Sequence, residues 1–280
     1  MSLIQQVKRD FKAGHLYDVL RLVKAADTEF FHISSESNVE VFKSPSFDMT
    51  RYLKIEFPRE SAGEYSCIGI IRASDAMHVI RNSGLGKGSV IEYVAPTPDT
   101  YGFSWGSLLH NGREIYVENG SGKDFTDVNL LMKARETKEP IHGEKASFTV
   151  EVDTLLYMLH PKATHVIFEH RKNGVKGVAC IITYEYDRKQ GDYRQLIKPL
   201  NHITLGEADG NFRNTAFNAD FLKKYITALK KAGVLNAKVS LTCNGFLIIE
   251  TTHPFGTATY IQAPYLLSKK TISAATAYTD

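Results

Sequence analysis

An α+β protein of two similar halves is what this sequence predicts, and three observations predict it. Four segments run in one order: a short strand, an amphipathic helix, then two or more strands separated by turns. A charged stretch containing Pro and Gly divides them two and two. The composition, with 43% hydrophobic and 23% charged residues among 280, is that of a globular chain long enough to bury two cores.

The first unit predicts a helix over residues 13–26, where Leu16, Val19, Leu20 and Val23 share one face. Strands at 30–34, 39–43 and 52–57 follow. The second has a strand at 65–72 and a helix from 74 to about 83, with Ser74 as N-cap and Gly84 as stop. Strands at 89–95, 103–109 and 114–118 complete it. The third runs through a strand at 147–152, a helix at 153–160 capped by Asp153, and strands at 165–170 and 175–186 joined by an Asn173-Gly174 turn. The fourth opens near 214 with a helix over 218–232, stopped by Gly233. Its strands are 238–242, 246–252 and 257–263, with Asn244-Gly245 as a second hairpin signal. Residues 133–145 lack periodicity and read as a connector between an N-terminal domain, 1–132, and a C-terminal domain, 146–267. Residues 268–280 form a small, polar tail.

Several chemistries are set aside by residue type and spacing. No apolar run is long enough to cross a bilayer, and residues 1–10 carry no apolar signal region, so an intracellular protein is expected. Cys67, Cys180 and Cys243 lie far apart in apolar strand-like settings and read as buried free thiols. Gly84–Ser89 and Gly120–Asp124 are rich in Gly and Lys but lack the Walker spacing, so both read as turns. His165 and His170 are five apart on a strand and face opposite ways, which is no metal pair. Asp75, Asp153 and Asp220 stand at helix starts, where capping explains them. No acid-base or nucleophile constellation stands out, so neither catalysis nor a cofactor is expected. A net charge of +3 does not announce a nucleic-acid binder, and the distribution of charge has to carry that claim.

Four local matches, in chain order on this scaffold, resemble the DNA sliding-clamp family, the proliferating cell nuclear antigen (PCNA) type in particular. Ile33-Ser34-Ser35 closes the strand after the first helix. Leu131-Met132, thirteen residues and then Ala146-Ser147-Phe148 resemble the clamp's interdomain connector. Lys172-Asn173-Gly174-Val175-Lys176 is similar to a Lys-Asp-Gly-Val-Lys hairpin, and residues 255–264 resemble the clamp's last strand, with Gly256, Tyr260 and Ala263-Pro264 in register. The stretches 95–112 and 186–214 look longer than the family's loops. Overall identity is low, which implies a divergent member and makes a viral source an expectation.

The resemblance implies a PCNA-like fold of two similar domains whose four helices line a channel for duplex DNA. Such a protein is a processivity factor, holding DNA without reading sequence and tethering polymerase and other clients after a clamp loader places it. Phosphate contacts then fall to cations on the helices' polar faces. The fourth helix offers Lys223, Lys224, Lys230 and Lys231, opposite Phe221, Leu222, Tyr225, Ile226 and Leu229. The first offers Arg21 and Lys24, the second His78 and Arg81, and the third His160 and Lys162. On an isolated helix such lysines would only solubilise the surface; a cationic face recurring in every unit is what encircling DNA needs. By position in the family, Leu131, Met132, Phe246, Tyr260, Ile261, Ala263 and Pro264 would form the client-peptide groove, with Phe47 and Met49 beside it. Ring closure would pair edge strands, nominated at 113–119 and 177–183, and two domains per chain imply a homotrimer. A monomeric clamp-fold factor that assists replication or transcription, and a clamp-fold scaffold that binds no DNA, are the alternatives.

Overall fold

Apolar side chains that alternate along strands and recur each helical turn decide which surfaces of this chain meet. The computed structural model describes residues 7–28, 30–36, 39–46, 48, 50–58, 68–95, 103–117, 145–171, 174–188, 191–208 and 215–265. In order, the elements begin β1 (Val7–Lys12), α1 (Ala13–Ala25), β2 (Phe30–Glu36), β3 (Val39–Pro45), β4 (Arg51–Pro58) and β5 (Ile68–Arg72). They continue through α2 (Ala73–Asn82), β6 (Val90–Ala95), β7 (Phe103–Trp105), β8 (Ser107–His110), β9 (Arg113–Val117) and β10 (Lys145–Glu151). Then come α3 (Val152–Met158), β11 (His165–Arg171), β12 (Gly174–Asp187), β13 (Asp192–Gly206), β14 (Thr215–Asn218) and α4 (Ala219–Lys231). The last are β15 (Asn236–Thr242), β16 (Leu247–His253) and β17 (Gly256–Gln262). The protein is α+β with mostly antiparallel sheets and few helices. The chain divides into two compact units, Met1–Glu139 with Thr252–Tyr260, and Pro140–Thr251 with Ile261–Asp280.

In the first unit, β1, β6, β8 and β9 form one antiparallel sheet in that order. A second sheet runs β17, β4, β3, β2, β5, β7, with β7 parallel to β5. On β4, Leu53, Ile55 and Phe57 are buried and alternate with Tyr52, Lys54 and Glu56, the period-2 signature of a half-buried strand. The strand expected at 103–109 is two strands in different sheets. Gly106 is the break: a Cβ there would sit 2.8 Å from the Tyr93 ring and 2.9 Å from Ile71, so the chain crosses between sheets where only glycine fits. α1 and α2 pack side by side.

In the second unit, β13, β12, β11 and β14 form an antiparallel sheet in that order, and β10, β15 and β16 pair antiparallel in that order. Two expectations are corrected here. Residues 186–214 are not a long loop, because β13 occupies most of them and pairs with β12 from Asp187↔Asp192 to Val175↔Gly206. Residues 177–180 are consequently not an edge: there β12 lies between β11 and β13, with β13 the outer strand, and only 181–183 extend past β11. Pro199 disguised β13, since proline fits poorly within a sheet but is tolerated in an edge strand. The Asn244-Gly245 turn forms as expected, with Gly245 at φ 84 and its N–H donating to the Thr242 carbonyl at 2.8 Å.

Helix starts differ from expectation in how they are capped. Arg72 and Glu151, not Ser74 and Asp153, are the N-caps of α2 and α3, and neither side chain caps a helix N–H. Asp75 and Asp153 stand inside the first turn, where the helix dipole still favours them. Backbone carbonyls satisfy two helix starts instead. Lys87 O and Ser89 O accept from Gly14 N at 2.9 Å and Ala13 N at 2.8 Å on α1, and Leu235 O accepts from Val152 N at 2.8 Å on α3. α3 is also shorter than the expected 153–160. It leaves helical geometry at Leu159, and Pro161 disfavours helical backbone at the residue before it. Of the cysteines, Cys180 is buried, with its thiol pushed up to about 12 by burial and then by the Glu169 charge. Cys243 is exposed, because it lies in the β15–β16 turn rather than on a strand. Cys67 lies outside the described residues, as do 133–144 of the connector and the 268–280 tail.

Candidate nucleic-acid interface

α4 presents the most strongly cationic face of the second unit. Asn218 starts it, its side chain accepting from Asp220 N at 3.0 Å and Phe221 N at 3.2 Å, an N-cap worth about 1 kcal/mol. Leu222, Tyr225, Ile226 and Leu229 are buried, each contributing roughly 1.5–3 kcal/mol of apolar transfer, and they fix which side is left outside. That outer side carries Lys223, Lys224, Lys230 and Lys231, all exposed, with Asp220 and the half-buried Thr227. Two of these lysines are engaged. Lys224 lies 3.0 Å from Asp220 and over the Phe221 ring at 5.9 Å, and Lys230 lies 2.7 Å from Asp153 on α3. Lys223 and Lys231 have no carboxylate partner among the described residues. Lys230 and Lys231 also occupy the last turn, where positive charge suits the helix C-terminus.

α3 is different. Its exposed positions are Asp153 and Tyr157, the latter 72% exposed, so the helix itself carries no cation. His160 and Lys162 fall in the turn beyond it, where His160 Nδ1 accepts from Lys162 N at 3.1 Å. Lys162 is exposed and His160 half-buried.

In the first unit, Leu16, Val19, Leu20, Leu22 and Val23 bury one side of α1 and leave Lys24 exposed and Arg21 half-buried. Arg21 is held 2.6 Å from Asp18 and over the Tyr17 ring at 5.0 Å. Burial raises the Asp18 carboxyl above its usual pKa, against the opposing pull of Arg21, Lys87 and His15. His78 and Arg81 are exposed on α2, with His78 Nε2 2.9 Å from Asn82 Nδ2. Lys87 is a cation the sequence reading passed over. It lies in the turn after α2 that caps α1, close enough for its charge to act on Asp18. The run Gly84-Leu-Gly-Lys-Gly is its sequence signal, a lysine carried in a glycine-rich turn.

The expected client groove divides by burial. Tyr260 and Ile261 are core, 0% and 4% exposed, so neither offers surface to a peptide. Phe246, Ala263 and Pro264 are half-buried; Phe246 N donates to Thr242 Oγ1 at 2.9 Å. Leu131 and Met132, with Phe47 and Met49, lie outside the described residues.

No family model matches the chain, and no curated protein matches it. Among solved structures it is similar to one described as the C-terminal region of FEN-1 bound to A. fulgidus PCNA. The identity is 14%, the TM-score 0.64, and the alignment takes in 94% of this chain and 99% of that one. Near-complete coverage of both means two chains of similar length. The fold of this chain is therefore clamp-like.

Proposed function

We propose that this chain is a DNA sliding clamp: a non-catalytic processivity factor that encircles duplex DNA without sequence preference and tethers polymerase and other clients. The observation that carries it is the polar face of α4, where Lys223, Lys224, Lys230 and Lys231 stand exposed on a clamp-like fold. Lysine is a flexible point charge, suited to phosphates that must slide past, whereas bidentate arginine favours fixed contacts. Arg21, Lys24, His78, Arg81 and Lys87 would add cations from the first unit, and His160 and Lys162 from the turn after α3. The proposed ring is a homotrimer of two-domain chains, loaded by a clamp loader inside the cell. Its joint is a head-to-tail pairing of β9 on one copy with β13 on the next, each being one of the two outer strands of its sheet. Clients would dock near Phe246, Ala263 and Pro264, with Leu131 and Met132 from the connector.

The test is duplex affinity as a function of salt. Each lysine that meets a phosphate adds about 0.9 to the slope of log K against log salt. Substituting Lys223, Lys224, Lys230 and Lys231 with Ala should flatten that slope and weaken retention on DNA. One observation favours a second reading, a clamp-fold scaffold that does not hold DNA: α3 lacks a cation of its own, and two of the four α4 lysines already face carboxylates. An unchanged slope in the quadruple variant would select that reading.

A further inference from the structure

The β12–β13 hairpin outgrows the sheet it belongs to. β11 pairs with β12 only as far as His165↔Cys180, whereas β12 and β13 stay paired out to Asp187↔Asp192. Thr164 marks the boundary: its N–H donates to Cys180 O at 3.0 Å, and its Oγ1 accepts from Ile182 N at 3.0 Å. Beyond it, residues 181–187 and 192–198 form a two-stranded ribbon supported by no third strand among the described residues.

The ribbon has an aromatic face. Tyr184 lies opposite Gln195 and Tyr186 opposite Tyr193, so the three tyrosines project to one side. That side continues a small core of Ile167, Val178, Cys180, Ile182 and Ala216 outward into solvent. The tyrosines are 54%, 52% and 67% exposed, and they are ordered rather than splayed. The Tyr186 and Tyr193 rings meet edge to face at 5.3 Å, and Tyr184 hydroxyl bonds Tyr265 hydroxyl and accepts from Gln195 at 3.3 Å.

We infer that this ribbon is an arm that lies against a second copy of the chain. The inference rests on the ring proposed above and adds the part of the joint that strand pairing leaves out. β9 has five residues and β13 has fifteen, so pairing the two leaves most of β13 uncovered. A stable protein interface takes roughly 20–30 residues a side, more than a five-residue strand pair supplies. An isolated two-stranded hairpin is also marginal in water and gains from a surface to lie on. The aromatic face supplies contact area of the kind interfaces use, roughly 100 Å² from each half-exposed tyrosine. The proposed acceptor is the sheet ending in β9 on the neighbouring copy, where Val117 and Val90 are the exposed large apolar residues of the first unit among the described residues.

The experiment uses the full chain in two forms. In sedimentation across a concentration series, the doubly substituted Y186S/Y193S protein should self-associate at least tenfold more weakly than the native chain. Its melting profile under dissociating conditions should shift only slightly, by the loss of the one contact between the two rings, since both positions are exposed. In a 1:1 mixture of isotopically light and heavy chains, a photo-crosslinking amino acid in place of Tyr193 should join light to heavy, with products mapping to β8 and β9. A native oligomer whose affinity ignores Y186S/Y193S, or crosslinks confined to one copy or made only to DNA or a peptide, overturns the arm and leaves the ring standing. A native chain that is monomeric at every concentration overturns both.

Discussion

At the scale of single residues, two positions carry more than their side chains suggest. His253 is buried with its ring stacked 4.6 Å from Phe255, and burial pushes its imidazole down to about 4 from the usual 6.5. The unfolded chain therefore binds more protons than the folded one between those values. Stability from this group is whole above about pH 6.5 and falls as pH drops toward 4. Melting curves from pH 7 to 4.5 should show this loss, and His253→Phe should lessen it; identical pH dependence in the two proteins would remove His253 as a cause. Gly106 is the second position. Gly106→Ala forces a methyl group against Tyr93 and Ile71 and should cost about 1–3 kcal/mol in denaturant unfolding, as overpacked sites do. A variant as stable as the native chain would mean that the β7–β8 crossover has room the geometry does not indicate.

At the scale of elements, helices divide into those that hold cations and those that do not. Lys223 and Lys231 are exposed and unpaired among the described residues, so changing both to Ala should move stability by less than about 0.5 kcal/mol. The same change should lower the salt slope of DNA binding by up to about 2. Loss of stability with no change in slope would assign Lys231 to the helix C-terminus instead. This helix was also the most legible in sequence, because thirteen residues of strict amphipathic spacing leave little choice of face. α3 was less so: at seven residues it offers barely two turns, and Pro161 cuts it short of His160 and Lys162. β13 was missed altogether. Its apolar residues are interrupted by Pro199 and by polar positions along an outer strand, so alternation is confined to residues 202–205. Most of the nominated edge at 177–183 failed with it, since an edge depends on which strand pairs outside it and no local pattern records that β11 covers β12 through Cys180. Of the client groove, Tyr260 and Ile261 were named from register with the family, which places a residue along a strand without telling which side of it is buried.

At the scale of the whole molecule, the α+β class came from the order of strands and helices, and structural similarity supports a clamp-like fold at 14% identity. That combination is physically reasonable. A sheet-and-helix scaffold needs apolar residues at set periods and can change almost everything else, while a channel for DNA needs only positive charge in about the right place. Net charge of +3 therefore says little, and the placement of Lys223, Lys224, Lys230 and Lys231 on one face says more. Assembly is where the proposal is most exposed, since a ring requires that β9 and β13 meet between copies. The most direct measurement is molar mass by light scattering, made with and without duplex DNA at low and high salt. A clamp predicts three chain masses without DNA and, with DNA, a complex of one trimer per duplex that salt dissociates into intact trimers. A single chain mass under every condition, or a trimer that never changes mass when duplex is added, would contradict it.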